Sequence, residues 1–140
     1  MSRLLGQEMV EQWMTKNVMS VAPMDSIKVA RDVMSKHSIR HLTVLKNDTL
    51  VGIISRNDVD RFALPTHDGQ DALKAKLIDQ INVAFVMTKS VNTLDVNDTM
   101  KDAAEMLSLS SYHALPVMKD EKLEGIITST DLIRYLLSHC

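Results

Sequence analysis

The chain has 140 residues, of which 45% are hydrophobic and 24% are charged, and its formal net charge is −2. This length suffices for one well-buried globular body, and interspersed charges without a Lys/Arg block argue against a nucleic-acid partner. Short apolar runs, no secretory signal and one cysteine, Cys140, indicate a cytoplasmic protein with no membrane partner, no internal disulfide and no metal site.

The predicted elements begin with a leading helix over Leu4 to Trp13. Val18 to Val21 is predicted to be a short strand, and residues 23–26 open a helix. The apolar residues of that helix recur at helical spacing: Ile27, Ala30, Val33 and Met34. A hairpin follows over Leu42 to Ile54 with its turn at residues 46–49, and a second helix starts at Ser55.

The same order returns further along the chain. Leu64 to Gly69 is predicted to be a loop, and Gln70 to Ile81 a connecting helix. A cap at residues 98–99 opens the next helix, a hairpin covers Leu115 to Ile127, and a helix starts at Thr128. The apolar stripe of the capped helix consists of Met100, Ala103, Ala104 and Leu107.

This recurrence is an internal duplication. Residues 14–62 align without a gap to residues 87–135, and 18 of the 49 pairs are identical. A unit this short rarely buries enough apolar surface alone, so two copies predict one compact module with every ligand site present twice. We expect an α/β fold of two tandem βαββα repeats with pseudo-two-fold symmetry, in which small mixed sheets pack against helices. We divide it into 1–69, with the leading helix, and 70–140, with the connecting helix.

One heptapeptide carries the most chemistry. Gly52 to Asp58 has the sequence Gly-Ile-Ile-Ser-Arg-Asn-Asp and is matched by Gly125 to Asp131. A Ser or Thr followed three residues later by an acid at a strand-to-helix junction is a variant capping box, which needs no ligand. A helix N-terminus with a hydroxyl beside it also suits a phosphate, and a carboxylate one turn further suits the hydroxyls of a ribose. Both interpretations stay open at this point.

The duplicated unit resembles a cystathionine-beta-synthase (CBS) domain, and the tandem resembles a Bateman module. The matching residues span nearly the whole chain: Met14, Thr15, Val18, residues 39–44 and Gly52 to Asp58 in the first copy, and Met87, Thr88, Val91, residues 112–117 and Gly125 to Asp131 in the second. The resemblance implies a regulatory module that binds AMP, ADP, ATP or a relative such as S-adenosylmethionine in two clefts between the repeats. It implies no catalysis and no required cofactor.

In that family each cleft draws on both repeats. The residues implied for one cleft are Ser55, Asn57, Asp58, Val91, Asn92, His113 and Ala114. The residues implied for the other are Thr128, Thr130, Asp131, Val18, Met19, Arg40 and His41. The resemblance gives the ribose hydroxyls to the aspartates, Asp58 and Asp131, and the phosphate to Ser55 and Thr128. It also implies that the two valines, Val18 and Val91, flank the adenine.

The two residue sets differ in charge. Arg40 is a permanent cation suited to phosphate, whereas its counterpart His113 carries an imidazole, which has no permanent charge. We therefore predict that the set containing Asp131 and Arg40 binds a phosphorylated ligand more tightly. The first copy departs from the family at Thr43, where the second has the family's proline.

Three further expectations concern the class of protein. The motifs contain no nucleophile and base in catalytic order, and the two motif aspartates belong to separate repeats, so we do not expect an enzyme. A structural or interaction module with empty clefts is the alternative to a ligand sensor. Because the apolar helical stripes exceed what one small sheet per copy covers, we also expect a homodimer through helices that acts on a separate effector protein.

Overall fold

The computed structural model describes residues 5–63, 77–110 and 113–140. Its helices are α1 Ile27–His37, α2 Arg56–Ala63, α3 Val83–Val86, α4 Met100–Leu109 and α5 Ser129–Leu137, with a 3-10 turn at Val10–Gln12. Its strands are β1 Ser20–Val21, β2 His41–Lys46, β3 Thr49–Ser55, β4 Leu94–Asp95, β5 Ala114–Lys119 and β6 Lys122–Thr128. The predicted α/β fold is confirmed, and both copies have the order strand, helix, strand, strand, helix. No helix within the described ranges is long and apolar enough to cross a membrane.

Backbone contacts divide the described chain into two compact units. Unit 1 combines the residues up to Val18 with Asn92–Cys140, and unit 2 is formed by Met19–Val91. Each unit contains one three-stranded sheet. The division by sequence order into 1–69 and 70–140 stays a prediction.

Unit 2 holds the sheet β1-β2-β3. Strand β1 pairs parallel with β2, and β2 pairs antiparallel with β3. The hairpin turns at Asn47 and Asp48, whose φ angles are 50° and 67°, as a two-residue turn matched to the strand twist requires. Asn and Asp tolerate this left-handed conformation better than other residues with a side chain.

Helix α1 covers this sheet with the predicted apolar stripe. The Oγ of Ser26 accepts the backbone N–H of Val29 at 3.2 Å, which caps the helix. The buried core of unit 2 consists of Val21, Ile27, Ala30, Met34, Leu42, Val44, Ile54, Val59, Ile78 and Val83. Three of the four predicted stripe residues are thus fully buried, and Val33 packs against the core from outside.

Unit 1 repeats this arrangement with the sheet β4-β5-β6 and a hairpin turn at Asp120 and Glu121. The register of the parallel pair is the same in both units, because Val21 pairs with Val44 and Leu94 pairs with Val117. The pairing begins one position earlier in unit 2, where Ser20 pairs with Thr43. The position equivalent to Thr43 is proline in unit 1, and proline has no N–H to donate to a neighbouring strand.

The core of unit 1 is built by the equivalent helices. Its buried members are Val10, Leu94, Val96, Met100, Ala103, Leu107, Leu115, Val117, Ile127 and Tyr135. On α5 the apolar residues Ile133 and Leu136 are exposed, and Tyr135 lies in the core. Tyr135 is followed one helical turn later by His139, whose ring it contacts.

The predicted leading helix is wrong for described residues 5–13, which contain only a 3-10 turn. The carbonyl groups of this segment accept the first N–H groups of α4, with Met100 donating to Glu8 at 2.7 Å and Lys101 donating to Gly6 at 3.0 Å. If residues 5–13 formed a continuous helix, those carbonyls would accept hydrogen bonds from within that helix and could not accept them from α4. The segment instead satisfies donors that the start of α4 cannot pair internally.

In unit 2, residues 81–86 likewise provide an acceptor for the first N–H group of α1. Ile27 donates its N–H to the carbonyl of Ile81 at 2.9 Å, and Val83 donates to that of Asp25 at 2.8 Å. These contacts match those of residues 8–13 after the same displacement of 73 positions, so the structural repeat begins earlier than the sequence alignment. Of the predicted connecting helix, residues 77–80 are helical. Residues 70–76 and the predicted loop at 64–69 lie outside the described residues.

Candidate functional site

In unit 2 the motif lies where β3 ends and α2 begins. The Oγ of Ser55 accepts the backbone N–H of Asp58 at 3.1 Å, and the Oδ2 of Asp58 accepts the backbone N–H of Ser55 at 2.9 Å. These are the two reciprocal hydrogen bonds of a capping box. The capping interpretation of the motif is therefore confirmed here.

In unit 1 the equivalent junction carries one more hydrogen bond. Thr128 and Asp131 form the same capping box, with bonds of 3.3 and 2.9 Å. The hydroxyl of Thr128 also donates to the Oδ2 of Asp131 at 3.1 Å. Ser55 makes no such donation among the described residues, so its hydroxyl proton is available to an acceptor whereas that of Thr128 is already used.

The second oxygen of each carboxylate lies outside the cap. The Oδ1 of Asp58 is 4.0 Å from Arg61, and the Oδ1 of Asp131 is 4.0 Å from Arg134. Both arginine side chains are at least 70% exposed, and ion pairs this exposed contribute little stability. The Asp58 side chain is 18% exposed and that of Asp131 only 6%, so each unit presents one carboxylate oxygen that can accept further hydrogen bonds, more openly in unit 2.

The hairpin residues implied by the resemblance are tied to the same junctions by their backbones. Arg40 accepts the N–H of Arg56 at 2.8 Å, and His113 accepts the N–H of Ser129 at 3.0 Å. The donors are the first residues of α2 and α5, and the side chains of Arg40 and His113 are exposed. Each unit thus brings a hydroxyl and a carboxylate to the start of one helix, and the backbone of Arg40 or His113 is bonded to the first residue of that helix.

The other implied residues differ in exposure. Val18, Met19, His41 and Val91 are half-buried, Ala114 is buried, and Asn57, Asn92 and Thr130 are exposed. The two implied sets each take members from both units, and as complete sets they remain proposals. In the described ranges no group of three His, Cys, Asp or Glu side chains has an arrangement that would hold a metal ion.

The structure adds a contact that the sequence analysis missed. Thr15 and Ile126 exchange backbone hydrogen bonds of 2.9 and 3.0 Å, and Thr88 and Ile53 do the same at 2.9 and 3.1 Å in unit 2. This pairing places the Met-Thr dipeptide directly against the glycine that opens each motif. The dipeptide and the glycine recur at matched positions in both copies, so the repeat marks both as important. It does not indicate that they touch each other.

A family model for the CBS domain matches residues 10–64 and again residues 82–138. The chain belongs to the CBS domain family. The resemblance inferred from the repeated motif is thereby confirmed. The matches start close to the 3-10 turn Val10–Gln12 and to helix α3, in agreement with the earlier beginning of the structural repeat.

The curated relatives are longer proteins. The chain is 34% identical over 125 residues to a homoserine O-acetyltransferase of Methanocorpusculum labreanum, which covers 88% of this chain and 23% of the relative. The chain spans between 23% and 47% of the length of three such relatives.

Solved CBS pairs share the fold over nearly the whole chain. CBSX2 from Arabidopsis thaliana matches with a TM-score of 0.83 and 26% identity, covering 94% of this chain and 96% of that one. CBSX2 in complex with AMP matches with a TM-score of 0.77, 28% identity and coverage of 94% and 98%. The CBS pair of MJ0100, solved with 5′-methylthioadenosine and S-adenosyl-L-methionine, matches with a TM-score of 0.76, 25% identity and coverage of 94% and 98%.

Proposed function

We propose that this CBS pair is a regulatory module that binds an adenosine-type ligand at its two strand-to-helix junctions. The observation that carries the proposal is that both copies retain a hydroxyl and a carboxylate at the start of a helix, with one carboxylate oxygen outside the cap. The CBS pairs of CBSX2 and MJ0100 bind AMP and S-adenosylmethionine respectively, which supports the ligand class. We propose AMP, ADP or ATP as the ligand, with S-adenosylmethionine as the alternative.

The chemistry of the junction fits such a ligand in two parts. The Oδ1 atoms of Asp58 and Asp131 accept from ribose hydroxyls, since the cap uses only the Oδ2 atoms. The helix N-terminus and the adjacent hydroxyl of Ser55 or Thr128 receive a phosphate or another anionic group. The remaining implied residues complete the two sets: Val18, Met19, Arg40, His41, Thr130 with Asp131, and Val91, Asn92, His113, Ala114, Asn57 with Asp58.

A purely structural module is the second candidate, and one observation favours it. The three hydrogen bonds between Thr128 and Asp131 all serve to cap α5. A third capping box of the same chemistry joins Thr99 to Asp102 at the start of α4. Thr99 is not preceded by a hairpin, so this box shows that the same residue types also serve a helix start without the motif. A test of ligand binding therefore needs the capping box of Thr99 and Asp102 as its control.

The test compares three Asp→Asn variants by calorimetry with AMP, ADP, ATP and S-adenosylmethionine. Asn keeps the oxygen that the cap needs and removes the second acceptor, so Asp58→Asn and Asp131→Asn should each weaken binding at their own junction by about 10- to 100-fold. Asp102→Asn is the matched control and should leave affinity unchanged. Failure of every ligand to bind the unaltered chain, or an equal loss in all three variants, would favour the structural module.

We also propose a homodimer that acts on a separate effector, in the cytoplasm, rather than an enzyme. Exposed large apolar side chains lie on the helices of unit 1: Leu109, Ile133, Leu136 and Leu137. Such side chains favour a helix-to-helix interface with a second copy. Cys140, the single cysteine, follows α5 and is exposed, so a thiol crosslinker reports directly on pairing through that helix. A monomer in sedimentation at micromolar concentration would contradict the dimer.

A further inference from the structure

Helix α5 of unit 1 carries a second apolar stripe that its own core does not cover. Tyr135 is buried and Leu132 packs against the core, whereas Ile133, Leu136 and Leu137 are exposed. Residues three and four positions apart lie on the same side of a helix, so the three exposed side chains form one stripe. A helix that only covers the sheet beneath it needs a single apolar side. The second stripe is therefore more than the core of unit 1 requires.

Unit 2 shows which residues share the equivalent surface, because one arginine joins its two helices there. The Nη1 of Arg56 donates to the Oγ of Ser35 on α1 at 3.1 Å. Its Nε donates to the Oδ1 of Asp60 on α2 at 3.3 Å. The last turn of α1 and the middle of α2 thus lie within reach of one side chain.

The equivalent surface of unit 1 is apolar. After the displacement of 73 positions, Ser35, Lys36, Arg56 and Asp60 correspond to Ser108, Leu109, Ser129 and Ile133. The Ser108 hydroxyl donates to the carbonyl of Glu105 in its own helix at 2.7 Å, and a serine at position 129 is too short to join the two helices. Leu109 is 89% exposed and lies at the end of α4, which packs beside α5. Together with the stripe of α5 it forms what we call the unit 1 patch: Leu109, Ile133, Leu136 and Leu137.

We propose that the unit 1 patch docks on the same patch of a second copy, so that the homodimer joins unit 1 to unit 1. The inference rests on the homodimer proposed above and adds which surface of the second copy is met. A two-fold interface brings two identical surfaces together. An apolar surface is complementary to itself, whereas a surface with one sign of charge is not.

The charges of unit 2 argue against the other arrangement, in which the unit 1 patch meets the helices of unit 2 in a second copy. Lys36 and Asp60 stand there at the positions of Leu109 and Ile133, and Lys36 is exposed. Burying such charged groups against leucine and isoleucine removes their water without offering a hydrogen-bond partner. Both units nevertheless form the same pair of helices, so the apolar residues of the patch are not needed to build that pair.

Two substitutions that give unit 1 the residues of unit 2 test whether the patch is used. Leu109→Lys and Ile133→Asp should each weaken the dimer by at least about 10-fold in sedimentation, because each places a charge in the interface. Phe85→Lys is the matched control and should leave the dimer unchanged, since Phe85 is 80% exposed on α3 of unit 2, outside the patch. All three positions are exposed, so the melting temperatures should stay close to that of the unaltered chain.

Cys140 tests the orientation. Its thiol donates to the carbonyl of Leu136 at 3.3 Å, which places it at the end of the stripe. A flexible bismaleimide should therefore join two unaltered chains through Cys140. In the matched variant Cys140→Ser with Lys36→Cys, the thiol stands on unit 2 instead. After subunit exchange, this tagged variant should give no crosslinked product with the unaltered chain.

The outcomes separate this inference from the homodimer itself. A monomeric unaltered chain would refute both. A dimer that withstands Leu109→Lys and Ile133→Asp would refute only the contact between the two unit 1 patches. A crosslink between Cys140 and the thiol at position 36, or the lack of a product between two Cys140 thiols, would do the same.

Discussion

Met14 lies so close to Gly125 that no side chain fits between them. A Cβ atom on Gly125 would be 2.5 Å from the Sδ of Met14 and 2.9 Å from the carbonyl oxygen of Thr15. Gly52 stands in the same relation to Met87, at 2.5 Å. The first residue of each motif must therefore be glycine, because the Met-Thr segment that pairs with the motif leaves no room for a side chain.

We expect Gly125→Ala to lower the free energy of unfolding by about 1–3 kcal/mol, because the methyl group overpacks this contact. The thioether of Met14 can move, but the carbonyl of Thr15 is fixed by its pairing with Ile126. Adding Met14→Ala should therefore restore only part of the loss, as measured by urea unfolding. Full recovery in the double variant would show that the backbone contact is unimportant.

Tyr135→Phe should destabilise the chain by about 1–2 kcal/mol, because the buried N–H of Gly6 loses its acceptor. The ring itself is retained, so the core stays filled, as it is by Phe62 in unit 2. Trp13 emission should shift to the red in the same variant. Unchanged stability and emission would mean that water replaces the phenol without cost.

Thr43→Val tests the one buried hydroxyl of strand β2. Thr43 is fully buried, and its Oγ1 lies 2.5 Å from the Oγ of Ser20. Removing it should cost about 1 kcal/mol in urea unfolding, since Ser20 is left without this partner. The double variant with Ser20→Ala should cost less than the sum of the two single changes. Strict additivity would indicate that the two hydroxyls do not stabilise each other.

Exchanging the two basic residues tests the predicted inequality of the ligand sites. Arg40→His should weaken the tighter AMP site by about 10-fold, because a permanent charge-assisted hydrogen bond to phosphate is lost. His113→Arg should strengthen the other site. Adenosine, which has no phosphate, is the control ligand and should bind both variants like the unaltered chain in calorimetry. Equal AMP affinity at both sites of the unaltered chain would contradict this prediction.

Local patterns predicted most of the fold. Caps, helical stripes and two-residue turns depend on neighbouring residues. The sequence therefore predicts the helix start at residues 23–26, the cap at 98–99 and the turn at 46–49, and the structure assigns these roles to Ser26, to Thr99 and to the pair Asn47 and Asp48. The leading segment was not, because its apolar spacing suits a helix while its carbonyls are taken by α4. That competition joins residues about 90 positions apart and is invisible to a local window.

The candidate site was predicted in part for the same reason. Repetition singled out Ser55, Asp58 and their counterparts, and the structure places them at helix starts as expected. The extra hydrogen bond that uses the Thr128 proton depends on a hydroxyl rotation, which residue type alone does not specify. The Glu8 to His139 contact joins the two ends of unit 1, and no local spacing marks it.

The two units differ in how the chain supplies them, and this bears on the order in which they fold during synthesis. Unit 2 is a single stretch, Met19–Val91, and has all its residues as soon as that stretch has left the ribosome. Unit 1 draws on residues that are synthesised before and after those of unit 2, and Val10 and Trp13 pack on a core whose remaining members come only after Asn92. Because those members are synthesised later than the whole of Met19–Val91, we expect unit 2 to fold before unit 1.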